Sequence, residues 1–364
     1  MLFMQSVYVT QAKMSQLRRR GMLQILLVDV IILLFIKVEG KPFPAPDFQN
    51  CYSSEGCCPP AVTTGNPTSF KFPTELPMRT RPAAHLLDDA YIAKYQKAYE
   101  LMRALPDSDG RSLVNQAYVH CGYCDNQFYF PGSKYPLEIH NNWLFLPWHR
   151  LFLYFHERIL AKLIGDDTFA LPFWNWDGLP EGMVMPNVYA EKSLNNKTTS
   201  SLYDPDRNKC AQRPRVVDFS NPSLVTCSNA TDEFQRWENA HVIYTQLVTA
   251  AVTPSLFIGQ PYRYGDYGGV GGGALEIKPH GAVHIWVNVE DMLLFKNSAT
   301  DPIFFAHHAN VDRLWTIWKR ELEGGIRTDL TDPDWLNTQF TFYDEDGKLV
   351  SASVAQALHP DLLR

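Results

Sequence analysis

Basic charge never gathers in this chain beyond Arg18, Arg19 and Arg20. With a formal charge of −6 there is no electrostatic footprint for nucleic acid. Long apolar runs are also missing. The one candidate, MLQILLVDVIILLFI, is interrupted by Asp29 and falls short of the roughly 20 residues needed to span a bilayer. The glycine-rich YGDYGGVGGGALE has no GK[ST], and no strand-turn-helix pattern surrounds Gly269, Gly271 and Ala274, which excludes a nucleotide loop and leaves backbone that approaches something closely. No internal repeat, low-complexity tract or nucleophile triad is visible.

What is present is apolar mass: 364 residues, 45% of them hydrophobic and 13% aromatic, enough for a substantial core. Residues 1–40 read as a removable targeting segment: the three arginines, the apolar run, then Val38 and Gly40 at small-residue cleavage positions, leaving no stable membrane span. Residues 41–84, rich in Pro, Ser, Thr and Cys, form an arm tied down by disulfides, and residues 85–364 form the catalytic domain. The sequons at Asn196 and Asn229 mark glycosylated surface loops of an exported protein. Seven cysteines (Cys51, Cys57, Cys58, Cys121, Cys124, Cys210, Cys227) leave one without a pair.

Apolar spacing predicts helices over 86–104, 142–165 (apolar almost all round and stopped at Gly165), 231–252 from Thr231, and 302–321. Strands should be few and short. The fold class is mainly α, a four-helix-bundle core framed by long loops.

Eleven histidines carry the chemistry. PHGAVHIW places His280 and His284 at i, i+4, on one helical face. In DPIFFAHHANVDRLW adjacent positions diverge by about 100°. His308, with Asp312 one turn on to orient its second nitrogen, is therefore read as ligand and His307 as pocket wall. His120, His140 and His149 form a second set. Two sets of imidazoles without close carboxylate ligands suit copper or zinc, and a zinc hydrolase needs only one set. His156, seven residues after His149 and so on nearly the same helical face, is a decoy; it and His85, His241 and His359 belong to structure or surface.

HCGYC, HNNWLFLPWHRLFLYFHERIL, FALPFWNWD, GGALE, PHGAVHIW and DPIFFAHHANVDRLW together resemble the plant polyphenol oxidases, the catechol oxidase, tyrosinase and aurone synthase group of dinuclear copper proteins, from about residue 44 to 350. The resemblance implies two copper ions, the first on His120, His140 and His149, the second on His280, His284 and His308. It implies a Cys124 thioether to His140 and disulfides Cys51–Cys58 and Cys57–Cys121. Parity then leaves Cys210–Cys227. It places Phe295 as a gate over the second copper and gives Glu276 a water near the metals. Gly281 stands where members that hydroxylate monophenols often carry Asn.

The implied activity is oxidation of o-diphenols, flavonoid and chalcone types among them, to o-quinones by dioxygen, with weak or no monophenol hydroxylation. The rivals are hemocyanin-like dioxygen binding without turnover and an inactive remnant. Partners are dioxygen and small phenols. With only 17 residues before Arg18, a secretory route to vacuole or cell exterior is expected, the thylakoid lumen being the alternative. The segment between His284 and Phe295 is shorter than the family form. After Val350 the family's tyrosine motif and C-terminal plug domain are missing, so Arg81 is expected to lack its partner.

Overall fold

The computed structural model describes residues 40–52, 56–60, 67–178, 180–195, 199–220, 222, 231–288 and 290–363. Contacts divide the chain into Met1–Lys41 and Pro42–Arg364. The targeting segment, Asn196, Asn229 and Cys227 lie outside the described residues, apart from Gly40 at the segment's end.

Six helices position the site: α1 (Asp89–Arg103), α2 (Leu113–Cys124), α3 (Phe145–Ile164), α4 (Asp232–Tyr244), α5 (Gly281–Val287) and α6 (Pro302–Arg320). α3 lies at the centre, every residue from Phe145 to Glu157 buried, with α1 and α6 packed on it. A helix apolar almost all round has little face to give to water, so it is wrapped by its neighbours. It ends where the sequence predicts, at Gly165 in the left-handed conformation (φ 67°). α1 begins three residues later than the spacing predicts because Asp88 caps it, accepting from the Tyr91 N–H at 2.7 Å. α6 starts at Pro302 under the Asp301 cap, and Asp301 also pairs with the buried Arg207 at 2.6 Å.

α4 departs most from its predicted span. Its α-helical geometry ends at Tyr244 and a wider turn carries the chain through Thr245–Thr249. Its buried residues are polar: Asn239 donates to the Val217 carbonyl and accepts from the Phe219 N–H, holding the preceding loop.

A small sheet closes one side: β1 (Thr68–Ser69), β2 (Gln339–Tyr343) and β3 (Leu349–Ser353), in the order β1-β3-β2. β2 and β3 are antiparallel, and β1, from the arm, runs parallel to β3. Phe342 turns inward onto Phe155 of α3 (5.0 Å between ring centroids), which fastens the sheet to the bundle. The arm is thus strand-paired as well as cross-linked: Cys51 is bonded to Cys58, and Cys57 to Cys121 on α2. No helix among the described residues is long and apolar enough to cross a membrane.

Candidate metal centre

His120 stands in the last turns of α2 and His149 in the second turn of α3, while His140 occupies the loop between them. Their ring centroids lie 5.4–6.1 Å apart. Across from them His280, at the entry to α5, meets His284 one turn later and His308 on α6, with centroids 4.6–5.3 Å apart. The two sets touch: the His149 and His308 rings stack at 4.2 Å and 6°.

Four of the six rings are held from behind through Nδ1. His149 donates to the Phe145 carbonyl at 2.9 Å and His280 to that of Glu276 at 3.0 Å, in both cases the carbonyl four residues back. His284 donates to the Met292 carbonyl at 2.5 Å, and His120 reaches the Phe295 carbonyl and Ser298 Oγ at 3.3 and 3.2 Å. An Nδ1–H given to a carbonyl leaves Nε2 with a free lone pair directed forward. Nε2 of His149 and of His280 is buried with no hydrogen-bond partner, and Nε2 of His284 faces Nε2 of His308 at 3.1 Å. Burial holds His120, His149, His280 and His308 well below the usual imidazole range and His284 at about 4, so all five are neutral near pH 7.

His120 and His140 of the first set and His280 and His284 of the second floor a pocket of about 290 Å³ whose walls include Asn141, Ile277, Leu293 and Phe295. Glu276 lines it too. Its Oε1 accepts from the Asn141 N–H at 2.6 Å, Oε2 has no partner, and burial raises the carboxyl well above the usual range. The glycine-rich stretch makes the close approach expected of it: a Cβ at Gly273 would collide with the Phe257 carbonyl, and Gly272 leaves room for the Glu276 carboxylate.

Residues 111–321 match the common central domain of tyrosinase, and residues 329–364 the polyphenol oxidase middle domain. The chain belongs to the tyrosinase family. It is 46% identical over 340 residues to a chloroplastic polyphenol oxidase of Vitis vinifera, covering 89% of this chain and 54% of that protein. It is 45% identical to the aureusidin synthase of Antirrhinum majus, covering 89% and 59%. The chain thus spans little more than half the length of these curated relatives. The crystal structure of Grenache (Vitis vinifera) polyphenol oxidase superposes with a TM-score of 0.82 at 46% identity, covering 89% of this chain and 96% of that one. "Chloroplastic" in the grape relative's name accords with the plastid alternative and not with the secretory route.

The donor set fits the two coppers of a tyrosinase-family centre. Neutral imidazoles with forward lone pairs suit copper, and two such sets facing each other exceed the single set of a zinc hydrolase. Cys124, buried and outside any disulfide, has its Sγ within 4.8 Å of ring nitrogens of His120 and His140.

Two expectations are corrected. Phe295 stands over the first set rather than the second, its ring stacked on His140 at 5.1 Å and 16°, because the segment after α5 turns back so that Met292 can meet His284. Asp312 does not orient His308; it pairs with Arg150 and, at 2.9 Å, with Arg81. Arg81 is held by Glu157 as well, at 2.9 Å. His156, away from both sets, bonds Tyr99 at 3.0 Å. The carbonyls of Phe145 and Glu276 could have been found from helical spacing. Those of Met292 and Phe295 could not, because loop path decides them.

Proposed function

We propose that this chain oxidises o-diphenols to o-quinones with dioxygen, His120, His140 and His149 holding one copper and His280, His284 and His308 the other. The observation that carries this reading is the pair of facing histidine sets, braced from behind and opening forward into one pocket. Bound copper would cycle between Cu(I) and Cu(II), so that two catechols, each losing two electrons and two protons, reduce one dioxygen to two waters.

The chain's own residues place the phenol and keep the site dry. Phe295 offers an aromatic face beside His140, and Leu293 and Ile277 wall the ring. Glu276 Oε2, unpartnered on the pocket wall, can take a hydrogen bond from a water or a phenol hydroxyl. A cavity of about 290 Å³ suits a single catechol ring. The chalcone type among the phenols that the family resemblance implies is the second substrate to assay.

A thioether between Cys124 Sγ and a carbon of the His140 ring removes one hydrogen from each, with dioxygen as oxidant, and fixes a ring that lacks a hydrogen bond at Nδ1. Gly281 beside His280 favours diphenols over monophenols. Residues 85–364 act as the catalytic domain, residues 41–84 as its arm and residues 1–40 as a plastid-directing segment, in keeping with the grape relative.

The test is copper analysis with catechol turnover, for wild type and His308→Ala. Two coppers and turnover are expected in the first, with copper and turnover lost in the second. A folded wild type holding two coppers that binds dioxygen reversibly without oxidising catechol would overturn the oxidase reading in favour of carriage.

A further inference from the structure

The second histidine set has a fourth member. His307 is fully buried and brings a ring nitrogen within 4.8 Å of nitrogens of His280, His284 and His308. A four-nitrogen cage of that kind suits a closed structural metal, whereas chemistry needs an open position. Whether His307 can donate depends on which of its nitrogens carries the proton.

Trp176 decides that. Its indole Nε1–H, which can only donate, points at His307 Nδ1 at 3.0 Å. Nδ1 must therefore present its lone pair, and the proton of the neutral ring resides on Nε2. At the other end of the ring Nε2 is buried with no hydrogen-bond partner. For Nε2 to bind a metal the proton would have to move to Nδ1, opposing two N–H groups, or leave the ring altogether. The indole is not free to turn away. Trp174 N–H donates to the Ala306 carbonyl at 2.9 Å, Asp177 accepts from Asn310 at 2.8 Å and from Arg313 at 3.0 Å, and Phe219 packs edge-on against the Trp176 ring. The segment Trp174–Asp177 is thus pinned to α6 on both sides of the contact.

We propose that the Trp176 N–H sets the coordination number of the second copper: it locks His307 in the tautomer that has no lone pair to give, so that His280, His284 and His308 bind and one position stays open. His307 then serves as a packing plate, its ring parallel to that of His280 at 5.3 Å and 12°. Trp176 is a positioning residue. The inference rests on the dicopper reading above.

The test uses the full copper-loaded chain with Trp176→Phe, His307→Ala and the two combined. X-ray absorption at the copper edge counts imidazoles per copper, and chelator competition measures copper(I) affinity. Wild type and His307→Ala should give the same imidazole count and copper content. Trp176→Phe should raise the count, tighten copper(I) binding roughly tenfold or more and slow catechol turnover, and the combined variant should return the count and affinity to wild-type values. An unchanged count in folded Trp176→Phe overturns the inference, as does a combined variant that keeps the single variant's values. Should Trp176→Phe not fold, His307→Ala decides: copper lost from the second set would make His307 a ligand and end the proposal. Two coppers in wild type with no response to Trp176→Phe overturn this inference alone; fewer than two overturn it together with the dicopper reading.

Discussion

Gly281 follows His280 directly, and a Cβ added there would stand 3.7 Å from the Glu276 carbonyl, an ordinary contact. An asparagine therefore fits without moving the backbone, and its amide would reach the pocket beside Glu276. Gly281→Asn is expected to raise the ratio of monophenol to diphenol turnover several-fold while shifting Tm by less than about 2 °C. An unchanged ratio would show that this position does not set the preference. Phe295, 37% exposed and stacked on His140, narrows the mouth of the pocket. Phe295→Ala should lower KM for bulky diphenols more than for catechol itself, with copper content unchanged, as a paired kinetic series would show. At this scale the sequence was legible where chemistry repeats at fixed spacing, as in His280 and His284. It was silent where a partner lies far off in the chain. Asp312 looks outward to Arg81 and Arg150, more than 160 residues away, and one-turn spacing alone had pointed it at His308.

Among the elements, α3 was the most legible, because an apolar run with a terminal glycine admits one reading. At Gly165 the φ of 67° costs a side chain about 1 kcal/mol or more, and a Cβ there meets nothing within 4 Å, so the cost is purely conformational. Gly165→Ala should lower Tm by about 3 °C and Gly165→Asn by less, since Asn tolerates this conformation. The next residue, Asp166, ties the end of α3 to α1 through Lys94 at 2.5 Å. The Lys94 ammonium, with Thr168 assisting, holds the Asp166 carboxyl at about 2. A depressed carboxyl stabilises the fold above its unfolded value near 3.8, and that contribution is lost as pH falls towards 2. Lys94→Met should therefore cost up to about 1 kcal/mol at pH 7, for a pair open to solvent, and the difference should fade in melts taken between pH 4 and pH 2. α4 was misjudged in length for a physical reason: its buried residues are Gln235, Asn239 and little else, so no apolar stripe marks where it stops.

For the whole molecule the question is what holds an arm without periodicity onto a helical core. Strand pairing at Thr68 and Ser69 is short, so the arm is held by the burial of Phe43 and Phe48 in the core, by the cross-links and by the ion pairs of Arg79 and Arg81 with Glu157. The two disulfides differ in reach. Cys51–Cys58 closes a separation of 7 residues and Cys57–Cys121 one of 64. By loop-closure entropy the first is worth about 2 kcal/mol and the second about 4 kcal/mol. Position separates them further, because Cys121 adjoins His120 on α2, and the cross-link fixes the turn that presents this ring to the first copper. Replacing Cys57 and Cys121 together by serine should therefore lower Tm well beyond the Cys51/Cys58 double variant and also weaken copper at the first set, while the shorter cross-link leaves copper content alone. Calorimetry and metal analysis on the two double variants measure this directly. Equal losses of Tm with copper retained in both would show that the long cross-link only restrains the unfolded chain and takes no part in holding the site.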